Sequence, residues 1–137
     1  MADTTKKSEL YDKGMAMRRA LRSEADFEKN KTEYAADPHT QKFIDLATET
    51  VFGSLWARPG LDLKTRTLIC VITDTTMGRY DDLDIHLRFA LKQGWTEDEM
   101  IEVLLHMTGY VGLPLVRGAV YKAKDVFADE RRKKAQG

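Results

Sequence analysis

Two stretches, residues 63–77 and 100–111, carry apolar side chains almost all the way round any helix drawn through them. A helix of that kind has no polar face to turn to water and must be buried on most sides. The whole chain has only 137 residues, the size of one domain. A domain so small struggles to cover two such helices as well as its half-buried ones. The expectation is an all-α subunit, residues 1–137 as one domain, that completes its core against further copies of itself.

The punctuation supports helices throughout. Residues 8–22 form a first amphipathic helix with Leu10, Met15, Met17 and Leu21 among charges, and the highly charged 23–36 reads as short helix and loop. At Asp37-Pro38 a helix starts cleanly, because Asp accepts from orphan N–H groups and Pro suits the first helical position. Phe43, Ile44, Ala47, Val51 and Leu55 follow at spacings of three and four, up to a stop before Pro59-Gly60. Asp62 caps the next helix, 63–77, which ends at Gly78. Its middle, "TLICVIT", is β-branched enough for a strand, but the cap, the glycine and the lack of any partner strand favour a buried helix. A helix containing His86 ends at Gly94. "TEDE" at 96–99 is a capping box opening a helix with Met100, Val103, Leu104, Met107 and Val111 inward. Gly112 breaks it, and Pro114 starts a last helix to about 134. About six helices result.

Several function classes are excluded by composition. Lys plus Arg and Asp plus Glu both total 22, so no net charge marks a nucleic-acid or anionic-membrane partner. The "RRKK" at 131–134 lies beside Asp129 and Glu130 and reads as a solvated helix end. Cys70 is the single cysteine, which excludes an internal disulfide and a multi-cysteine zinc site and suits a reducing compartment. "MADTTKKSEL" has no apolar h-region, and "TLICVIT" is far short of the roughly 20 residues a membrane span needs. A cytoplasmic protein is expected.

Candidate chemistry begins with three histidines, His39, His86 and His106. His39 falls in the first turn of a helix, where it is exposed. His86 follows Asp81, Asp82 and Asp84 and shares a stripe with Leu83, Leu87 and Ala90, while His106 edges an apolar face one turn before Tyr110. Pattern alone leaves two readings for each of these two: a core histidine bonded locally, or a proton carrier. No histidine pair has the i, i+4 spacing of a metal site, and the three aspartates suit a helix start. Cys70, between Ile69 and Val71, reads as an inert small hydrophobe. No phosphate loop, nucleophile elbow or dinucleotide fingerprint is present.

"FGSLWARPGLDLKTRTLI" (52–69) and "HLRFALKQGWTEDEMIEVLLHMTGYVGLP" (86–114) are less generic. Together they resemble the carboxymuconolactone decarboxylase family, more weakly continued in "LYDKGMAMRRAL" (10–21) and "GAVYKAKDVF" (118–127). The resemblance implies a small all-α subunit of the alkylhydroperoxidase-D-like fold in a ring-like homo-oligomer, a trimer or hexamer. The redox branch of that superfamily carries Cys-x-x-Cys before its histidine. Here those positions are Arg79 and Asp82, so no disulfide relay is expected.

The decarboxylase branch acts on a lactone diacid and needs no cofactor. The resemblance gives His86 as proton carrier and His106 as a second polar contact. It gives Arg58 and Arg88 as carboxylate partners, against the alternative of ion pairs, and Trp56 and Tyr110 as shaping residues. Two positions depart from the decarboxylase pattern: Ser54 stands where an acidic residue is usual, and Asp84 where a basic one is usual. Both point toward a less charged ring substrate. The expected function is a cofactor-free lyase acting on a small molecule. Two alternatives stand beside it: isomerisation or dehydration of a less charged cyclic ketone, and a non-catalytic oligomeric binding protein.

Overall fold

In the computed structural model, residues 7–137 are described; the first six residues of the segment read for a leader lie outside them. The described residues are helical with no strand, and they fall into two compact units, one ending at Leu61 and one spanning Asp62–Gly137. No described helix is long and apolar enough to cross a membrane.

The first unit holds α1 (Glu9–Leu21), α2 (Glu24–Glu33), α3 (Pro38–Ala47) and a π-helical segment, Thr48–Trp56. Local chemistry sets the starts. Ser8 and Ser23 each accept an N–H three residues on, at 3.1 Å, and Asp37 accepts from both His39 and Thr40. The charged stretch after residue 23 is more regular than its pattern suggests, forming α2. The helix expected from Pro38 onward is continuous, but its winding widens at Thr48 to the rare i→i+5 pattern. There α1 lies directly against it. A Cβ on Gly14 would stand 1.9 Å from the Thr48 carbonyl oxygen, and one on Gly53 2.0 Å from that of Leu10. Only glycine permits so close a backbone approach.

The second unit holds α4 (Leu63–Met77), α5 (Tyr80–Lys92), α6 (Glu97–Val111) and α7 (Leu113–Gln136). Asp62 caps α4 through the Thr65 N–H at 2.7 Å, and the "TLICVIT" run is helix, as expected. Gly78, at φ +67°, ends α4 and leaves only itself and Arg79 before α5. The Thr96–Glu99 capping box forms in both directions. The core draws on all four helices: Val71 from α4, Leu83, Leu87 and Ala90 from α5, Met100, Leu104 and Met107 from α6, and Val116 to Phe127 from α7. Each fully buried Leu or Met contributes about 1.5–3 kcal/mol relative to exposure. Tyr80 anchors the first turn of α5, its ring against Gly118 and its hydroxyl donating to the Leu115 carbonyl at 3.0 Å.

α4 and α6 were the helices expected to need cover on most sides. Within the second unit they pack on one side, through Val71 of α4 and through Met100, Leu104 and Met107 of α6. Ile69, Ile72 and Met77 of α4 and Leu105 and Tyr110 of α6 are exposed, Tyr110 to 80%.

Candidate active site

Residues two apart on a helix point to opposite sides, and α5 uses this to present two polar faces. One carries His86, the other Asp84 and Arg88.

His86 stands beside the fully buried stripe Leu83, Leu87 and Ala90, with its side chain 24% exposed. Its Nδ1 lies 2.5 Å from Oδ2 of Asp74, and the Phe89 ring meets it edge-on at 5.5 Å between centroids. Asp74 belongs to the buried stripe of α4 with Thr67, Val71 and Thr75, and its side chain is only 5% exposed. Threonine hydroxyls in that stripe are satisfied within the helix, Thr67 on the Lys64 carbonyl and Thr75 on that of Val71. Cys70 lies one turn before Asp74. Burial, and then the Asp74 charge, push its thiol up to about 11, so it stays a neutral thiol near pH 7.

The opposite face of α5 is an ion cluster. Arg88 donates to Asp84 at 2.8 Å, to Asp129 at 2.5 Å and to Glu130 at 2.6 Å, and Lys122 stands 4.0 Å from Asp84. Burial opposes the Arg88 charge, but the hydrogen bonds to Asp84, Asp129 and Glu130 together outweigh it and hold its pKa above the ordinary value. Of the two residues expected near substrate on this face, Arg88 is thus engaged by three carboxylates, and Asp84 is countered by two cations.

The remaining expected residues separate. His106 and Tyr110 pair one turn apart on exposed α6, with ring centroids 5.1 Å apart. In the first unit, Trp56 is buried and stacked on Phe52, Ser54 is exposed within the π-helical segment, and Arg58 is exposed just beyond it. His39 is exposed, as read. Among the described residues no cluster of three His, Cys, Asp or Glu side chains could hold a metal ion.

The sequence reading missed Asp74. Its signal was present: one carboxylate inside "TLICVITDTTM", at helical spacing from Thr67 and Val71. A charge there has no solvent-facing position and calls for a partner. The resulting arrangement has one imidazole nitrogen engaged and part of the ring open to solvent, which suits accepting and returning a proton.

The sequence profile of the carboxymuconolactone decarboxylase family matches residues 41–125. A 4-carboxymuconolactone decarboxylase of Acinetobacter baylyi is 33% identical over 119 residues, 87% of either chain. The nitrosuccinic acid decarboxylase npaB of Metarhizium robertsii is 33% identical over 105 residues, 77% of this chain and 72% of that one.

Proposed function

Because the chain belongs to the carboxymuconolactone decarboxylase family, we propose that it is a cofactor-free carboxy-lyase of a small organic acid, with His86 as proton carrier. Loss of CO2 breaks a carbon–carbon bond and leaves its electron pair on the substrate. A carbonyl or comparable acceptor conjugated to that carbon takes up the charge, so neither metal nor organic cofactor is required. The enzyme then has to stabilise the developing anion and deliver one proton to carbon. An imidazole has an unperturbed pKa of about 6.5 and can do so near neutral pH. The observation that carries this reading is the His86 ring, about a quarter exposed and fixed through one nitrogen.

The two similar decarboxylases are named for different acids, so the substrate is a choice among carboxylates within one reaction type. Ser54 favours an acid with fewer charges than the lactone diacid, while Asp84 is held in the ion cluster by Arg88 and Lys122. Arg88 serves the fold in this reading, through its three carboxylate partners. His106 and Tyr110 act as outer contacts.

The enzyme works as a homo-oligomer, a trimer or hexamer in the cytoplasm, in which copies cover the exposed apolar side chains of α4 and α6. Sedimentation at micromolar protein reads the assembly directly; a monomer there overturns it.

The test of function is CO2 release from carboxymuconolactone, nitrosuccinate and a set of cyclic keto acids, with chelator present and no cofactor added. Release from at least one acid is expected. A folded, assembled protein that releases CO2 from none, or only after a metal or cofactor is added, contradicts the proposal.

A further inference from the structure

We propose that Asp74 is a positioning residue for His86: its buried carboxylate fixes the imidazole in one tautomer and aims Nε2 at the substrate. This rests on the reading of His86 as proton carrier.

Asp74 is the carboxylate on the buried stripe of α4, where its neighbours are Thr67, Val71 and Thr75. A carboxylate so placed is retained only with a partner, and the partner is Nδ1 of His86 at 2.5 Å. An ionised carboxylate has no proton to give, so the hydrogen bond forms only if Nδ1 carries one. Nε2 is then the nitrogen left to exchange protons.

The backbone makes the arrangement rigid. Asp74 sits in the last turn of α4, where its carbonyl accepts the Arg79 N–H at 2.8 Å. With only Gly78 and Arg79 between the helices, the end of α4 is bonded to the start of α5, and Leu83 and Leu87 flank His86 in the core. The Phe89 ring edge limits rotation on another side. Side chains on two packed helices hold a site more precisely than loops do.

The proton balance follows. With protons on both nitrogens, the ring's charge is matched by Asp74. As the C–CO2 bond breaks, the carbon that keeps the electron pair takes the Nε2 proton. His86 returns to the Nδ1–H form that Asp74 selects, and water restores Nε2–H. The other tautomer would have no proton to offer Asp74 and would leave a buried carboxylate facing a lone pair.

The test combines nitrogen NMR of His86 with kinetics of Asp74→Asn on whichever acid the wild type decarboxylates. Neutral wild-type protein is expected to show the Nδ1–H tautomer with a low-field proton. Asp74→Asn should lose that signature and lower kcat about 10²-fold with KM nearly unchanged. A wild-type ring found as Nε2–H overturns the proposal without any variant, so a misfolded Asp74→Asn leaves it open to refutation. Full kcat in a folded Asp74→Asn, beside an inactive His86→Ala, overturns the positioning role and leaves His86 as carrier. Full turnover in His86→Ala overturns both.

Discussion

His86 and Arg88 stand two residues apart on α5, and each meets a carboxylate at 2.5 Å, yet the two contacts leave different bonding capacity over. Arg88 meets three carboxylates, from α5 and α7, and further lysine and arginine side chains surround them. Every charge there has an opposite within reach, and a closed network of this kind tethers helices. His86 meets one carboxylate through one nitrogen, and its ring reaches solvent. Distance does not separate structure from chemistry here. What separates them is how much bonding capacity the contact leaves over.

The largest expected effect breaks the His86 side. His86→Ala should lower turnover per folded molecule by about 10²-fold or more. It also leaves the buried Asp74 carboxylate without its partner, so the melting curve should shift down while helical circular dichroism stays close to wild type. A loss of stability with turnover per folded molecule unchanged would put His86 in the same structural class as Arg88.

Arg88→Met should affect stability alone. It leaves Asp84, Asp129 and Glu130 without their common donor, which should cost about 2 kcal/mol in urea unfolding, while turnover per folded molecule holds. The pH dependence sharpens this. The Arg88 hydrogen bond holds the Asp129 carboxyl below the ordinary carboxylate range, against a smaller opposing effect of burial. A depressed folded-state pKa contributes stability above the unfolded value, about 3.9, and loses it as pH falls through the folded one. The gap between wild type and Arg88→Met should therefore narrow in acid.

A smaller effect concerns substrate. Ser54→Glu puts in the acid that the family resemblance implies at this position and should raise turnover of carboxymuconolactone several-fold. Asp84→Arg should lose stability instead, because it sets a second guanidinium against Arg88. Improved lactone kinetics from Asp84→Arg would return Asp84 to the substrate side.

Cys70 should change least. With its thiol pushed up to about 11, native protein should react slowly with iodoacetamide near neutral pH, and Cys70→Ser should keep its turnover. The sign runs opposite to Asp129: a raised thiol pKa contributes stability that is complete below the unfolded value, about 8.5, and is lost as pH rises through the folded one. Peroxide-dependent turnover that disappears with this cysteine would reverse the redox exclusion.

What the sequence made legible follows from the range of the interactions. Caps at Asp37, Asp62 and Thr96–Glu99 act over two or three residues and could be read directly. The winding change at Thr48 could not, because Phe43, Ile44, Ala47, Val51 and Leu55 fit ordinary helical spacing while the close contact that accompanies it comes from α1. His86 was legible as a polar interruption of an apolar stripe, and its proposed role came only from the order of the surrounding motifs. Asp74 lies 12 residues from it and Asp129 lies 41 from Arg88, so neither pairing leaves a local signal. The exposed apolar side of α4 shows the same limit: a composition that asks for burial does not say which surface supplies it.

Chemical rescue is the most direct measurement of His86 as proton carrier. His86→Ala is assayed for CO2 release on the best substrate across increasing concentrations of free imidazole, beside wild type. Low release that rises and saturates with imidazole, while wild type does not respond, is the predicted result. Wild-type release from His86→Ala with no imidazole present would contradict it.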